Sequence, residues 1–166
     1  MRDADPSHIW LITATGQKSV VDSGLTGASG IALTPDGLWL SVAESKSHWG
    51  YSYQVQADGT LRHKQRFYWF HVPDAADDSG AGSMCMDRDG RLYAATRKGV
   101  EVLDRNGRTR AILPVPGGQV TNVSFGGPKF DTLYVTIRGT VYKRKLKVLS
   151  APAWAAPIRL PPWSAG

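Results

Sequence analysis

Three stretches of the chain share one pattern, a strand, a turn carrying glycine and a second strand, and this repeat limits the fold more than any other feature of the sequence. The first is Gly30-Ile31-Ala32-Leu33-Thr34-Pro35-Asp36-Gly37-Leu38-Trp39-Leu40-Ser41-Val42-Ala43. The second is Ser83-Met84-Cys85-Met86-Asp87-Arg88-Asp89-Gly90-Arg91-Leu92-Tyr93-Ala94-Ala95-Thr96. The third runs Asn122-Val123-Ser124-Phe125-Gly126-Gly127-Pro128-Lys129-Phe130-Asp131-Thr132-Leu133-Tyr134-Val135-Thr136. Superposing Leu38, Leu92 and Leu133 gives spacings of 54 and 41 residues, the shorter one matching a four-stranded propeller blade and the longer one leaving room for an inserted loop.

The turns carry their own mechanism. Asp36-Gly37 and Asp89-Gly90 supply the positive φ that a tight hairpin between two buried strands needs. Asp58-Gly59 and Asn106-Gly107 do the same for outer hairpins, which pair Tyr51 to Val55 with Leu61 to Phe67, and Val100 to Leu103 with Thr109 to Leu113. Each unit therefore reads as two hairpins in series, the antiparallel meander of one blade. Ile9 to Thr13 and Ser19 to Val21, turning at Gly16, form the outer hairpin of a preceding blade. No window holds a 3.6-residue apolar period free of Gly and Pro, so no helix is predicted. The predicted fold is all-β, a partial propeller of about three blades with incomplete blades at both ends. Residues 1–7 are expected to be a disordered N-terminus, 8–148 the partial propeller and 149–166 a Pro/Ala-rich tail. An open arc of blades leaves two apolar faces in water, so the chain reads as part of a closed ring.

Composition supports one folded domain: 166 residues, 42% hydrophobic and 20% charged, with too little charge for a disordered chain. The net charge of +6 is concentrated, because from Thr132 onward there is no acid and the bases are Arg138, Lys143, Arg144, Lys145, Lys147 and Arg159. A nucleic-acid surface spreads its bases and interleaves aromatic rings, so this pattern reads as a solvated terminal strand and tail and argues against a nucleic-acid partner. No apolar run is long enough to cross a membrane and Met1 to Pro6 contains no signal-peptide core, which leaves the cytoplasm as the default compartment. Cys85 is the single cysteine, excluding an internal disulfide, and it reads as a small buried hydrophobe. His8, His48, His63 and His71 lack the spacing of a helical zinc site, and no Gly-x-Ser-x-Gly elbow is present. The rings of Tyr51, Tyr53, Phe67, Tyr68, Trp69 and Phe70 are expected to pack between blades.

The ordered set of motifs resembles the C-terminal half of the gluconolactonase family, also known as the SMP-30, regucalcin or luciferin-regenerating-enzyme-like family. Gly30 to Gly37, Met84-Cys85-Met86-Asp87-Arg88-Asp89-Gly90-Arg91-Leu92-Tyr93-Ala94, Phe125-Gly126-Gly127, Thr132 to Thr136 and the strand Val141 to Val148 carry the resemblance. It implies a six-bladed β-propeller in which a divalent cation, usually calcium, sits at the mouth of the central channel and polarises a sugar-lactone carbonyl for attack by water. The family's ligands are a Glu in the first blade, an Asn before the Gly-Ile-Ala-like strand and an Asp before the Gly-Met-Cys-like strand. Here the Asn position falls on Ser29 and the Asp position on Gly82, followed by Ser83 where the family has Gly, while the Glu belongs to blades outside this chain.

With Ile31, Met84 and Val123 in register, Ser29, Gly82 and Thr121 fall at the entry of three innermost strands. Ser29, Gly82, Ser83, Thr121, Asn122 and Arg97 are therefore the expected lining of a substrate channel, and no metal ligand is assigned. Asp74, Asp77 and Asp78 precede Ser79-Gly80 in a loop between blades. Asp78 is the candidate catalytic residue, because an Asp-Ser-Gly-Ala loop lines the active-site mouth of lactonase-like relatives. The expected function is that of a sugar-lactone hydrolase relative, truncated and weak or inactive alone. The alternative is a non-catalytic binding or scaffold module that completes a ring with a second copy or with a separate N-terminal half.

Overall fold

The computed structural model describes residues 7–151 and 155–158; of the N-terminal stretch 1–7 expected to be disordered, Ser7 begins the first strand, and residues 1–6 and the remainder of the tail lie outside the described residues. Among the described residues there is no helix, and so none long and apolar enough to cross a membrane. The strands are β1 (Ser7–Ile12), β2 (Lys18–Leu25), β3 (Ala28–Leu33), β4 (Trp39–Glu44), β5 (Trp49–Val55), β6 (Leu61–Trp69), β7 (Met84–Met86), β8 (Leu92–Thr96), β9 (Gly99–Leu103), β10 (Thr109–Leu113), β11 (Asn122–Gly126), β12 (Thr132–Ile137) and β13 (Thr140–Lys145). They form four antiparallel meanders: β1-β2, β3-β4-β5-β6, β7-β8-β9-β10 and β11-β12-β13. The two predicted blades are complete, flanked by a two-stranded and a three-stranded sheet, which is the partial propeller the repeat implies.

The hairpins close as their sequences require. In the turns at 56–60, 87–91 and 104–108 the glycine N–H bonds back to the first turn residue, with Gly59, Gly90 and Gly107 at φ 80°, 79° and 76°. The Asp Oδ1 of each turn caps the N–H groups that follow, as when Asp104 accepts from Asn106 and Arg108. Thr34 to Trp39 is the same device one residue longer, with Gly37 at φ 74°.

Three apolar layers hold the sheets face to face. Ile9 and Leu25 pack on Val42 and Tyr53 between the first sheet and the second. Ala43, Tyr68 and Phe70 meet Met84, Met86, Leu92 and Leu103 between the second and third. Tyr93, Val100 and Val102 meet Val123, Leu133, Val135 and Ile137 between the third and fourth. Covered on both faces, β8 and β9 are buried at every residue, whereas the outer strand β6 is exposed along most of its length.

The innermost strands β3, β7 and β11 lie side by side. Gly30 is what lets β3 approach so closely: a Cβ there would stand 1.9 Å from the Gly82 carbonyl oxygen. On the far rim, at the ends of these strands, the segment after β13 crosses beneath three successive turns. Leu146 and Ser150 donate their N–H groups to the carbonyls of Asp131 and Phe130, the Arg88 N–H bonds the Leu149 carbonyl, and the Ile158 N–H bonds the Pro35 carbonyl at 2.7 Å. The Ser150 hydroxyl adds a bond to the Met86 carbonyl at 2.7 Å. The chain is strapped across the end opposite to the rim described next.

Candidate functional site

Ser29, Gly82 and Thr121 stand together on the near rim, each where an innermost strand begins. Ser29 joins one blade to the next, whereas the bonds of Thr121 stay within the fourth sheet. The Ser29 hydroxyl donates to the Ala81 carbonyl, and the Ser83 hydroxyl reaches the Val123 carbonyl at 3.3 Å, so each links one sheet to the next. Thr121 donates to the Thr136 carbonyl at 3.0 Å and shares a hydroxyl contact of 2.9 Å with Thr136. Gly82 presents only backbone, and a Cβ there would sit 3.1 Å from the Thr121 carbonyl oxygen, so a side chain at this position requires a small shift of the Thr121 backbone. Asn122, the first residue of β11, is exposed beside them.

The carboxylate nearest in sequence to this rim is Asp78, on the crossover from β6 to β7. Its Oδ1 receives the Arg97 guanidinium at 3.0 Å (Nε) and 2.9 Å (Nη2), and the Gly80 N–H at 2.8 Å. Arg97 sits in the turn between β8 and β9 and also donates from Nη1 to the Gln119 side chain at 2.9 Å, while Gln119 donates to the Gly80 carbonyl at 3.2 Å. The structure thus joins two residues singled out separately, Asp78 and Arg97, and adds Gln119, a neutral amide in a glycine-rich loop that no spacing could single out. Asp74 and Asp77 face solvent.

A second anchor of the same crossover escaped the sequence. Glu101 on β9 is fully buried and accepts the His71 backbone N–H with both oxygens (3.0 and 3.2 Å) and the His71 imidazole Nδ1 at 3.1 Å. His48 stacks on Trp69 with 4.5 Å between ring centres, and Trp69 meets Trp49 edge-on. Ser79 spends its hydroxyl on the Ser47 carbonyl at 2.7 Å. Cys85 lies half-buried in β7, where burial pushes its thiol up to about 12, so it stays protonated and is no nucleophile at neutral pH.

The family model described as SMP-30/Gluconolactonase/LRE-like region matches residues 1–138. The chain belongs to this family. Among curated relatives it is 26% identical to the pentonolactonase XacC of Haloferax volcanii, over 82% of this chain and 47% of that protein. It is 23% identical to a gluconolactonase of Zymomonas mobilis, over 89% of this chain and 42% of that one. The chain spans about half the length of the curated relatives it matches. Among solved structures it superposes on the calcium-binding protein regucalcin of Agrobacterium tumefaciens with a TM-score of 0.77 at 20% identity, over 92% of this chain and 56% of that chain. A luciferin-regenerating enzyme gives a TM-score of 0.73 at 19% identity, over 91% and 54%.

The divalent cation associated with gluconolactonase-like propellers does not fit the residues at this rim. A hard cation needs anionic oxygens to offset its dehydration. Ser29 and Thr121 offer neutral hydroxyls already engaged with carbonyls, and Gly82 offers no side chain. Among the described residues no group of three His, Cys, Asp or Glu side chains is placed to hold a metal.

Proposed function

We propose that the chain is a gluconolactonase-like propeller segment whose channel mouth receives a small lactone or related carbohydrate, and that on its own it hydrolyses such a substrate weakly or not at all. The lactone class is supported by the relatives named pentonolactonase, 6-deoxy-6-sulfogluconolactonase and gluconolactonase. The weak activity rests on one observation: the Ser29 hydroxyl is committed to the Ala81 carbonyl and Gly82 is bare, at the two positions where the family resemblance puts an amide and a carboxylate ligand. In this reading the exposed Asn122 amide binds and orients the polar edge of the substrate, and the Thr121, Ser83 and Ser29 hydroxyls, whose protons go to carbonyls, serve it only as acceptors. The guanidinium of Arg97 holds Asp78 in place beside the mouth, with the Asp78 Oδ1 occupied by Arg97 and the Gly80 N–H.

The test is δ-gluconolactone hydrolysis followed in a pH-stat, with calcium and with chelator. Equal, near-background rates in both are expected, and robust turnover abolished by chelator overturns the reading. The paired substitution Ser29→Asn and Gly82→Asp restores two oxygen ligands. By calorimetry it should gain calcium affinity only when a carboxylate is supplied from outside the chain as the third ligand.

A second reading, a non-catalytic module that completes a ring with another chain, is favoured by a separate observation. Ile31 and Leu33 on β3 are 55% and 51% exposed, and Trp10 and Ile12 on β1 are 54% and 61% exposed. These are the faces that a further blade would cover. Light scattering that finds a defined assembly supports this reading, and a stable monomer counts against it.

A further inference from the structure

A cleft of about 270 Å³ opens between the second and third sheets, on the rim opposite Ser29 and Gly82. It lies between two complete blades, so its shape owes nothing to whatever lies beyond either end of the chain. Two backbone devices build it. In β6, Gly50 pairs with Tyr68 and Tyr51 with Arg66, leaving Phe67 as an extra residue. This bulge turns Phe67 toward the same side as Tyr68, and the two rings meet edge-on at 87° with 4.9 Å between centres. Opposite, the turn at 104–107 rests directly on β6, because a Cβ on Gly107 would come within 2.3 Å of the Phe67 carbonyl oxygen. That close approach sets Arg105 at the cleft.

Three rings (Trp39, Phe67 and Tyr68) and three polar side chains of different character (the Asp36 carboxylate, the Arg105 guanidinium and the Gln65 amide) therefore line one small volume. Tyr68 is buried and fixed by its hydroxyl contact with Ser41 at 3.0 Å, and Asp36 is fixed by the Thr34 hydroxyl at 2.6 Å and the Leu38 N–H at 3.0 Å. Flat apolar walls take the C–H face of a ring, while an acceptor, a donor and an amide that is both take its hydroxyls. The volume suits one six-membered ring and not two. We propose that this cleft is a binding site for a single sugar ring, separate from the channel mouth.

The test is a titration of the ¹⁵N-labelled full chain with D-glucose, D-galactose, D-mannose, D-xylose and D-glucuronate, each to tens of millimolar. At least one should shift the Trp39 indole, Gln65 and Arg105 signals together. Gln65→Ala, an exposed and structurally mild change, should weaken that sugar several-fold, and Gln65→Ala with Arg105→Ala about tenfold, with the remaining amide spectrum unchanged. The proposal is overturned if no sugar in the set moves those signals, or if the shifts persist undiminished in the variants. None of these probes is a lactone, so the result is independent of lactone turnover at the other rim.

Discussion

Glu44 shows how a single buried side chain joins neighbouring blades. It sits at the end of β4 and accepts the Thr26 N–H at 2.8 Å, the Thr26 hydroxyl at 2.9 Å and the Ser47 hydroxyl at 2.8 Å. Burial alone would raise its pKa, but these hydrogen bonds outweigh burial and hold the carboxyl below the usual range. A lowered folded-state pKa contributes stability above the ordinary glutamate value, about 4.3, and that contribution fades as pH falls through the lowered value. Glu44→Gln is therefore expected to cost roughly 1–2 kcal/mol at neutral pH and to flatten the acid limb of the stability curve, as urea unfolding at stepped pH would measure. An unchanged acid limb would remove Glu44 from the account. The motif Ala43-Glu44-Ser45 gave no hint of this role, because the partners come from Thr26, across the sheet boundary, and from the following turn. Ser29 and Gly82, by contrast, were legible as the rim positions, since their register follows from the repeat; the use of the Ser29 hydroxyl was not, since its acceptor Ala81 is 52 residues away.

At the scale of the strand, the innermost position is governed by backbone proximity. β3 and β7 approach so closely that Gly30 faces the Gly82 carbonyl with no room for a methyl group. Gly30→Ala should force the second and third sheets apart and cost about 2–3 kcal/mol. A fall in melting temperature, with fluorescence reporting loosening around Trp39, would check it, and an unaltered melting curve would show that the sheets slide freely. The hairpin pattern was readable because each Asp/Asn-Gly turn is a local solution to local geometry. The β6 bulge at Phe67 was not, because a shift of register exists only once β5 and β6 are paired. The edge strand β13 was readable too, since Lys143, Arg144 and Lys145 mark a solvated terminal strand. In the structure they are exposed along an unpaired edge, where charge discourages strand addition.

Across the whole molecule, one feature adds to the face-to-face packing of the sheets. The segment after β13 ties the turns of three blades together by backbone hydrogen bonds and sends Leu146 and Val148 to the apolar layer between the third and fourth sheets. Ending the chain at Lys145 is expected to lower stability by roughly 2–4 kcal/mol and to raise amide exchange in the turns at 34–38, 87–91 and 127–131. Exchange unchanged at Arg88 would show that the strap carries no load. Ring completion has a strand-level constraint of its own. β1 leads into an outermost strand and β13 follows a second strand, so each holds the third place of a blade. Two copies cannot use both in one ring unless one of these strands gives way.

The repeat, the hairpins, the order of the blades and the rim register of Ser29 and Gly82 could be counted along the chain, because they follow from local turn chemistry and strand alternation; the reading of those two positions as substituted came from the family resemblance. The packing of the sheets settled the rest: the Ser29 and Ser83 hydroxyls bridge neighbouring blades, Asp78 is bound by Arg97, which Gln119 also holds, and a bulge and a close-packed glycine open an aromatic cleft on the far rim. Those outcomes depend on which residues distant in the chain are brought within hydrogen-bonding reach, and that is fixed by how the sheets pack rather than by any motif within one of them.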